Sequence, residues 1–567
     1  MRYLNRKILL PAVLSLALVT GACAAGEAAG TSSVAGQTAA QTLADNAAVE
    51  EVADTTGQAE QTITLSGSSA TSSSDTVTVD GGVVTITAAG TYRISGTLTD
   101  GQVIVDVSGD GVVTLILDGA EITSSTSSPL VIADAESAVV QLADGSQNTL
   151  TDAATYVYPD AETDEPNAAL FSTADLTITG AGALTVHGNA NDGIASKDGL
   201  VIESGTITVD AVDDGIRGKD YLVVKGGTIT VTAGGDGLKS DNSEDATMGY
   251  VGIEGGTLTV TAGGDGVDAA TDVVVSAGEL AVTAGDGASG SVADDTSAKG
   301  LKGSASVVVD GGTITVDAAD DAVHSDGSVT VNGGELTLAT GDDGLHADGE
   351  LAITDGTVVV SRSYEAIEGT TITISGGDVD ATSSDDGLNA GNALTISGGT
   401  IVVNTGGDGL DSNGSASITG GTVVVNGPTE NMNGALDTDG TFTISGGVLL
   451  AVGSSGMVEA PDSSSPQGWV AATFSTTQAA GTVVHVVSAD GTVLASFTAS
   501  KAFASLVYSS ADITSGSTYI VYTGGSVSGD SVGGLTTAGT IDGATAAGTF
   551  TAGQAPAGGM GGGRPGG

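Results

Sequence analysis

Short apolar runs alternate with Gly, Asp and Asn turns through the middle of the chain, and this pattern repeats. An Asp-Gly-(Ile/Leu/Val) tripeptide, intact or degenerate, returns about every 22 residues, beginning at positions 192, 214, 236, 265, 299, 321, 343, 365, 386 and 408. Between two tripeptides lie an apolar run such as Leu222–Val224 and a Gly-Gly-Thr-Ile-Thr-Val run such as Gly226–Val231. Each repeat therefore predicts about three short strands separated by turns.

A fixed period of this size indicates a solenoid in which each repeat is one coil. A single coil cannot bury its apolar side, but coils stacked about 4.8 Å apart can. The sequence therefore predicts an all-β, single-stranded parallel β-helix with coils of about 22 residues and a small C-terminal β cap. The expected inward ladder consists of Ile216, Leu238, Val267, Leu301, Val323, Leu345, Ile367, Leu388 and Leu410.

The composition agrees with this architecture. Ninety glycines and 3% aromatic residues would build a poor layered core, but tight corners need Gly and a narrow coil has room for Val, Ile, Leu and Ala. A collagen-like chain is excluded because Gly has no strict three-residue period.

The first 23 residues predict an export signal, because basic residues precede the apolar stretch Ile8–Val19. Cys23 is the only cysteine, follows small residues and resembles a bacterial lipobox cysteine. We therefore expect lipidation at Cys23 and a lipid-anchored position at the cell surface, with ordinary signal cleavage nearby as the alternative. A single cysteine leaves no intramolecular disulfide.

The rest of the chain divides by composition and by the repeat. Residues 24–60 predict a flexible linker, and residues 61–455 the β-helix, of which 61–150 form an N-terminal capping part. Residues 456–530 predict a C-terminal β cap, because terminal repeats must cover the open core. Residues 531–567 predict a Gly-rich disordered tail, most biased in composition over Ala555–Gly567.

The net charge of −55 argues against nucleic acid and anionic lipid as partners and points to cations. In a β-helix, equivalent turn carboxylates lie one strand spacing apart, which is unfavourable unless a cation bridges them. Ligands that are all oxygen suit Ca²⁺ better than zinc. For any single Asp the alternative is a solvated turn. The expected calcium ligands are Asp213, Asp214, Asp236, Asp241, Asp265, Asp268, Asp320, Asp321, Asp342 and Asp343.

A second column, two residues beyond each Asp-Gly, is expected to point outward. It reads Arg217, Lys239, Asp268, Lys302, His324, His346, Glu368, Asn389 and Asp411. Bases and histidines beside carboxylates suit an anionic ligand bridged by Ca²⁺. The alternative is charge balance between adjacent coils, for example Lys239 with Asp268. The candidate ligand-binding residues are Arg217, Lys219, Lys239, Lys302, His324 and His346.

The runs Asn191–Leu200, Asp213–Tyr221 and Asp236–Asn242 resemble those of the bacterial carbohydrate-binding β-helix family, once catalogued as a domain of unknown function. Ala88–Leu98 and Gly341–Asp348 also resemble the sequence pattern of this family, and the resemblance covers about residues 62–525. It implies a right-handed parallel β-helix, bound calcium and surface attachment. It also implies binding of plant cell-wall polysaccharide without established catalysis. The glycans implied are chiefly acidic ones such as polygalacturonate, with neutral cellulose as a second ligand. We expect a monomer.

The same family resembles calcium-dependent pectate lyases in shape. One lyase family holds calcium with Asp-Asp-Gly-x-Asp and an Asp one coil earlier, and uses a Lys one coil later. Here Gly264–Asp268 with Asp236 and Lys302 nearly matches, so Lys302 would be the base of a β-elimination. Gly264, however, stands where the motif has a carboxylate. The sequence thus favours a binding protein, with a lyase and a structural surface rod as the alternatives.

Aromatic side chains are few in the repeats, among them Tyr221, Tyr250 and Tyr364. Sugar platforms usually stack on Trp or Tyr. This scarcity favours recognition of uronates by charge over stacking on neutral cellulose.

Overall fold

The computed structural model describes residues 36–50, 59–109, 111–160, 162–293 and 296–555. Its strands are mostly parallel and form a β-solenoid of about 16 turns with almost no helix. The predicted fold class is therefore confirmed. Cys23 and the export segment lie outside the described residues, so lipidation stays a prediction. None of the described helices is long and apolar enough to cross a membrane.

Each regular coil contributes one strand to each of three parallel faces. The first, named the Asp-Gly face, begins where the Asp-Gly tripeptides end, and its strands pair in parallel with the equivalent strand one coil on. Its strands are Val83–Ile86, Gln102–Asp106, Leu130–Asp134, Ala168–Ser172, Asp192–Ser196, Ile216–Gly218, Leu238–Ser240, Val267–Ala269, Leu301–Gly303, Val323–Ser325, Leu410–Ser412 and Leu436–Thr438.

The second, named the Val face, is rich in Val and Ile. Its strands are Ser137–Leu142, Asp175–Gly180, Gly199–Ile202, Tyr221–Val224, Tyr250–Ile253, Asp272–Val275, Ser306–Val309, Ser328–Val331, Ser415–Ile418 and Phe442–Ile444. Three longer strands turn the corner from the Asp-Gly face to the Val face: Leu345–Ile353, Ile367–Ile374 and Leu388–Ile396.

The third, named the Thr face, holds the Gly-Gly-Thr-Ile-Thr-Val runs. Its strands are Gln147–Thr151, Ala183–Gly188, Thr206–Ala211, Thr228–Ala233, Thr257–Ala262, Glu279–Ala284, Thr313–Ala318, Glu335–Thr340, Thr357–Arg362, Asp378–Thr382, Thr400–Asn404, Thr422–Asn426 and Val448–Gly453. Near the N-terminus, Glu60–Gly67, Gly90–Leu98 and Val112–Thr123 stack on one another and run along the Val and Thr faces.

The core is one continuous column of Val, Ile and Leu side chains inside the coils. Along Thr206–Ala211 exposed and buried positions alternate, so the threonines face solvent while Ile207 and Val209 point inward. Every member of the predicted inward ladder is at most 2% exposed, and the register places each beside its predicted neighbour. The ladder prediction is confirmed.

The second glycine of each Gly-Gly-Thr run is required by the turn before the Thr face. Gly227 has φ +103°, and a Cβ there would lie 2.8 Å from the carbonyl oxygen of Gly205 in the preceding coil. An L side chain would therefore meet both backbone strain and a clash. The repeated Gly-Gly pair thus keeps the coils at strand spacing.

The N-terminal end is closed by antiparallel pairing. Glu60–Gly67 pairs with Ser69–Ser72, and Val77–Asp80 pairs with Val83–Ile86. Gly90–Leu98 already pairs in parallel with the strand of the next coil, Val112–Thr123.

The expected linker over 24–60 is wrong for residues 36–50. Thr38 and Gln41 form a capping box that starts the helix Ala39–Asp45. Ala39 packs on Val274 and Val308 of the Val face, and burial of these apolar groups holds the segment in place.

At the C-terminal end, Phe503–Ser509 pairs antiparallel with Val448–Gly453 and with Trp469–Gln478, which stops parallel stacking. A separate sheet contains Val483–Ser488, Val493–Thr498, Thr518–Thr523, Leu535–Thr536 and Thr545–Thr551, and beside it Ser526–Val527 pairs with Gly539–Thr540.

The expected disordered tail over 531–567 is wrong for its first part. Thr545–Thr551 pairs antiparallel with Thr518–Thr523 and completes the separate sheet, because the strand edge of Thr518–Thr523 needs hydrogen-bond partners. Residues 556–567 lie outside the described residues.

Candidate functional site

Two neighbouring columns of polar side chains follow the Asp-Gly face. The turn column, at the first position of each tripeptide, reads Asp192, Asp214, Asp236, Asp265, Lys299, Asp321, Asp343, Glu365, Asp386 and Asp408. The outward column reads Arg217, Lys239, Asp268, Lys302, His324, His346, Glu368, Asn389, Asp411 and Asp437. The predicted outward column is therefore confirmed strand by strand, with Asp437 as a further member.

The turn column uses one carboxylate oxygen of each Asp to hold the next coil. Oδ1 of Asp214 accepts from the backbone N–H of Asp236 at 2.9 Å, and Oδ1 of Asp236 accepts from that of Asp265 at 2.8 Å. A buried turn N–H needs an acceptor. This oxygen is therefore structural, and only the second oxygen is free for an ion or ligand.

The second oxygens meet lysines of the outward column. Nζ of Lys239 lies 3.2 Å from Oδ2 of Asp214 and 2.6 Å from Oδ2 of Asp236. Nζ of Lys302 lies 3.0 Å from Asp265 and 3.1 Å from Asp268. Burial alone would lower the pKa of both lysines, but these carboxylates raise it overall, so both stay protonated.

This pairing is the charge balance between coils that the sequence left open as an alternative. Its suggested partners are different, however. Lys239 reaches the turn-column carboxylates Asp214 and Asp236, whereas Asp268 pairs with Lys302.

Arg217 begins the outward column and bridges two carboxylates. Its Nη2 lies 2.5 Å from Asp241 and its Nη1 lies 3.6 Å from Asp192. Burial, followed by the charge of Asp214, raises the pKa of Asp192 to about 7. Lys219, on the same coil, has no salt-bridge partner among the residues that the structure describes.

Lys299 stands where most coils have an aspartate in the turn column, and its positive charge balances carboxylates of the next coil. Its Nζ lies 3.0 Å from Asp320 and 2.6 Å from Asp321. Burial opposes ionisation of Asp321, but His324 and Lys299 together lower its pKa to about 2. This degenerate copy of the tripeptide is thus a charge-compensating substitution.

His324 and His346 lie next to each other on adjacent coils, with ring centroids 4.9 Å apart and ring planes inclined by 35°. Nδ1 of His346 lies 2.9 Å from Asp343 and 3.2 Å from Glu368. Hydrogen bonds to these two carboxylates raise the pKa of His346 to about 11, so the ring is an imidazolium. His346 is therefore a positively charged member of the outward column and balances the charges of Asp343 and Glu368.

Among the residues that the structure describes, three groups of side chains bring their ligand atoms within 4.8 Å of one another: Asp320 with Asp321 and Asp342, Asp321 with His324 and His346, and Asp343 with His346 and Glu368. The first offers only oxygen, which suits Ca²⁺, whereas imidazole and carboxylate together suit transition metals. The oxygen-only group therefore has the donor set of the predicted ion, although Lys299 already pairs with Asp320 and Asp321 and would have to move away to admit it.

The remaining predicted calcium ligands have other surroundings. Asp213 is an exposed neighbour of Asp214. Ion pairs with Lys or Arg engage Asp214, Asp236, Asp241, Asp265 and Asp268.

Beyond Arg362 the charged residues of the Asp-Gly face are all acidic, since the sequence has no Lys or Arg between Arg362 and Lys501. This part, named the acidic half, comprises Glu365, Glu368, Asp386, Asp408, Asp411 and Asp437. Burial, together with neighbouring carboxylates, raises the pKa of Asp408 to about 6 and those of Glu365 and Asp411 to about 7. The sequence analysis missed the acidic half, although the absence of basic residues after position 362 was a visible signal.

At the other end of the face, residues of the connection between Thr151 and Ala168 line a cleft of about 630 Å³. Tyr156 and Tyr158 line it together with Lys197 and Arg217. The sequence analysis did not single out these tyrosines.

Comparison with known proteins gives three matches. The profile of a family described as "Carbohydrate-binding domain-containing protein" matches residues 80–344 and 345–524. An Acetivibrio thermocellus protein with the same description is 45% identical over 128 residues, which are 23% of this chain and 45% of that protein. The chain thus spans less than half the length of this relative.

The third match is a solved structure described as the polysaccharide lyase-like protein from C. thermocellum, a gadolinium derivative. It is 30% identical, with a TM-score of 0.40, over 52% of this chain and 97% of that one. The family profile, in contrast, matches most of the present chain. The protein therefore belongs to the family of carbohydrate-binding domain-containing proteins.

Proposed function

We propose that the protein binds an acidic polysaccharide along the Asp-Gly face, with Ca²⁺ bridging protein carboxylates to the uronate groups of the glycan. The observation that carries this proposal is the acidic half, a run of crowded carboxylates in which, among the residues described, only Glu368 has a basic partner, His346. The family, and the description of the Acetivibrio thermocellus relative, support a polysaccharide partner.

Crowded carboxylates explain the need for a cation. Because their pKa values are raised to about 6 and about 7, Asp408 binds a proton in mildly acidic solution and Asp411 does so up to about neutral pH, unless another positive charge takes the proton's place. Ca²⁺ accepts several carboxylate oxygens in flexible geometry. At the oxygen-only group, Asp342 is exposed, so an ion held there has a side open to a ligand.

Charge also explains how the glycan is recognised. The side chains of Lys239 and Lys302 are 24% and 27% exposed, so their ammonium groups border solvent. Tyr221 and Tyr250 are buried against each other, with ring centroids 5.7 Å apart, and offer no platform. Tyr364, 48% exposed, remains available on the face.

The same geometry argues against β-elimination at Lys302. A general base must be free to accept a proton, whereas Lys302 is held protonated between Asp265 and Asp268. A Cβ at Gly264 would lie 2.5 Å from Oδ1 of Asp236, which accepts the backbone N–H of Asp265, so Asp236 would have to move before the missing motif carboxylate could be placed there. We therefore propose binding without catalysis.

Export and lipid anchoring at Cys23 complete the proposal. They are supported by the apolar stretch Ile8–Val19 before Gly-Ala-Cys. Cys23→Ser should release the protein from cells into the medium, and unchanged cell association would contradict the anchor.

The test is retention of the purified full chain on insoluble polygalacturonate, in calcium or in chelator, while the ultraviolet absorbance of the supernatant is followed. Retention only in calcium, without absorbance growth, supports the proposal. Equal retention in chelator, or no retention, contradicts it. Growth of unsaturated-uronide absorbance would make the protein a lyase.

A further inference from the structure

Two adjacent coils carry the same Asp-x-x-His arrangement on the Asp-Gly face but balance its charge differently. Asp321 and His324 form it in one coil, Asp343 and His346 form it in the next, and the two histidines are neighbours in the strand register. In the first coil Nζ of Lys299 lies 2.6 Å from Oδ2 of Asp321. In the second, none of the described Lys or Arg residues pairs with Asp343, whose partner is His346. The second coil therefore has no counterpart of Lys299.

The second coil has an additional carboxylate instead. Glu368, on the coil that follows, is the register partner of His346. Nδ1 of His346 lies 2.9 Å from Oδ2 of Asp343 and 3.2 Å from Oε2 of Glu368. The ligand atoms of these three side chains all lie within 4.8 Å of one another. Two carboxylates thus converge on one imidazole nitrogen.

The spacing of these three atoms is close to that of ligands around a small metal ion. Zinc binds nitrogen and carboxylate oxygen at about 2.0–2.2 Å, so its tetrahedral ligands lie roughly 3.3–3.5 Å apart. The two distances to Nδ1 would therefore widen by only about 0.1–0.6 Å around such an ion. The side chains of His346 and Glu368 are 21% and 35% exposed, which gives an ion access from solvent.

Neighbouring groups hold two of these side chains in position. Nε2 of His346 lies 3.3 Å from Oδ1 of Asp348. A histidine that binds a metal through one ring nitrogen usually donates the other N–H to a carboxylate, which fixes the orientation of the ring. Oδ1 of Asp343 accepts the backbone N–H of Glu365 at 3.3 Å, and this leaves Oδ2 for an ion.

We propose that Asp343, His346 and Glu368 bind one divalent transition-metal ion such as Zn²⁺. Imidazole beside carboxylates suits such an ion, whereas Ca²⁺ prefers a set of oxygens alone. On binding, Nδ1 releases its proton to solvent and donates its lone pair to the metal. The dication then balances the charges of both carboxylates. Asp343 accordingly belongs to this site and not to the predicted calcium ligands.

The arrangement in the preceding coil has less need of an ion. Asp321, His324 and His346 also bring ligand atoms within 4.8 Å of one another. Oδ2 of Asp321, however, already has Lys299 at 2.6 Å and Nδ1 of His324 at 2.8 Å. A metal bound there would have to displace the lysine, so the group around Glu368 is the better site.

The test is calorimetric titration of the full chain with zinc chloride in excess calcium, which occupies sites made of oxygen alone. We expect one zinc ion per chain, with a heat that depends on the buffer because a proton is released. His346→Gln and Glu368→Gln should each weaken zinc binding about tenfold or more. Glu368→Gln is the milder change, since Glu368 is partly exposed. His187→Gln, which removes a histidine from the Thr face, is the control and should bind zinc like the wild type.

The site is overturned if zinc does not bind, if calcium abolishes its binding, or if His346→Gln binds it as well as the wild type. A loss in His324→Gln as large as that in His346→Gln would also overturn the assignment, because it would place the ion at Asp321. The proposal is independent of glycan binding. Retention on polygalacturonate is measured without zinc, so failure of either proposal leaves the other standing.

Discussion

Nζ of Lys302 lies 3.0 Å from Oδ2 of Asp265, which belongs to the preceding coil and is 3% exposed at its side chain. Oδ1 of the same carboxylate accepts the backbone N–H of Lys299 at 2.8 Å. One aspartate thus joins two coils through its two oxygens. This relationship recurs along the basic part of the Asp-Gly face and stops where the acidic half begins.

Removing the ammonium group of Lys302 should leave Asp265 charged and unpaired. We expect Lys302→Gln to lower the free energy of unfolding by about 1–3 kcal/mol, because a buried charge that loses its partner retains its desolvation cost. Chemical denaturation measures this loss. Lys225→Gln is the control, since Lys225 is exposed, and should change stability by less than about 0.5 kcal/mol. Equal effects of the two substitutions would contradict the structural role of Lys302.

His346 should behave as a fixed cation near neutral pH. Asp343 and Glu368 raise its pKa to about 11, so its stabilising effect is complete below the unfolded pKa of His and disappears only as pH rises through about 11. His346→Gln should therefore lower the denaturation midpoint at about pH 8. His187→Gln, on the Thr face, should not. A His346 ring whose NMR signals titrate near pH 6.5, the usual value, would refute this account.

In chelator, the stability of the protein should fall as the pH rises through the pKa values of the acidic half. The folded pKa values of Asp408 and Asp411, about 6 and about 7, lie above unfolded values, so protonation favours the fold at low pH. That contribution is complete below about pH 4 and is lost as pH rises to about 7. Calcium should restore the thermal midpoint at about pH 8 and change it less at about pH 5.5. A midpoint that rises with pH in chelator would show that these carboxylates are not crowded.

Neutralising one crowded carboxylate should stabilise the protein. Asp411→Asn removes repulsion from Asp386 and Asp408, so the denaturation midpoint should rise at about pH 8 in chelator and change little at about pH 5.5. Asp530→Asn, at an exposed position outside the Asp-Gly face, is the control and should have little effect at either pH. A loss of stability in Asp411→Asn would mean that this side chain makes a favourable contact.

The sequence predicted the columns well, because a constant period determines which residues are neighbours in a β-helix. Arg217, Lys239, Asp268 and Lys302 follow one another in the outward column as expected, even though the insertions at 242–249 and 285–298 lengthen the sequence between them. The described parts of the insertions, 242–249, 285–293 and 296–298, lie between strands, and the register of the strands that flank them is continuous.

The sequence could not predict how each carboxylate divides its two oxygens. The tripeptide has the same sequence whether Asp265 binds an ion or accepts a backbone N–H. The distance between stacked coils determines that its Oδ1 accepts the N–H of Lys299, and this distance is known only from the structure. Nor could the sequence predict where the connection 152–167 lies, because no equivalent segment exists in the other coils from which its position could be inferred. The helix Ala39–Asp45 was missed because its residues are small and polar, although Thr38 and Gln41 carry a capping pattern.

The measurement that tests the account most directly compares two faces of the solenoid in calcium-dependent binding to polygalacturonate. The double variant Asp342→Asn/Asp411→Asn removes two charges from the Asp-Gly face, and Glu335→Gln/Asp378→Asn removes two from exposed positions on the Thr face. We predict an affinity about tenfold weaker for the first, equivalent to about 1.4 kcal/mol, and wild-type affinity for the second. Equal losses in both variants, or a larger loss from the Thr face, would contradict the assignment of the glycan to the Asp-Gly face.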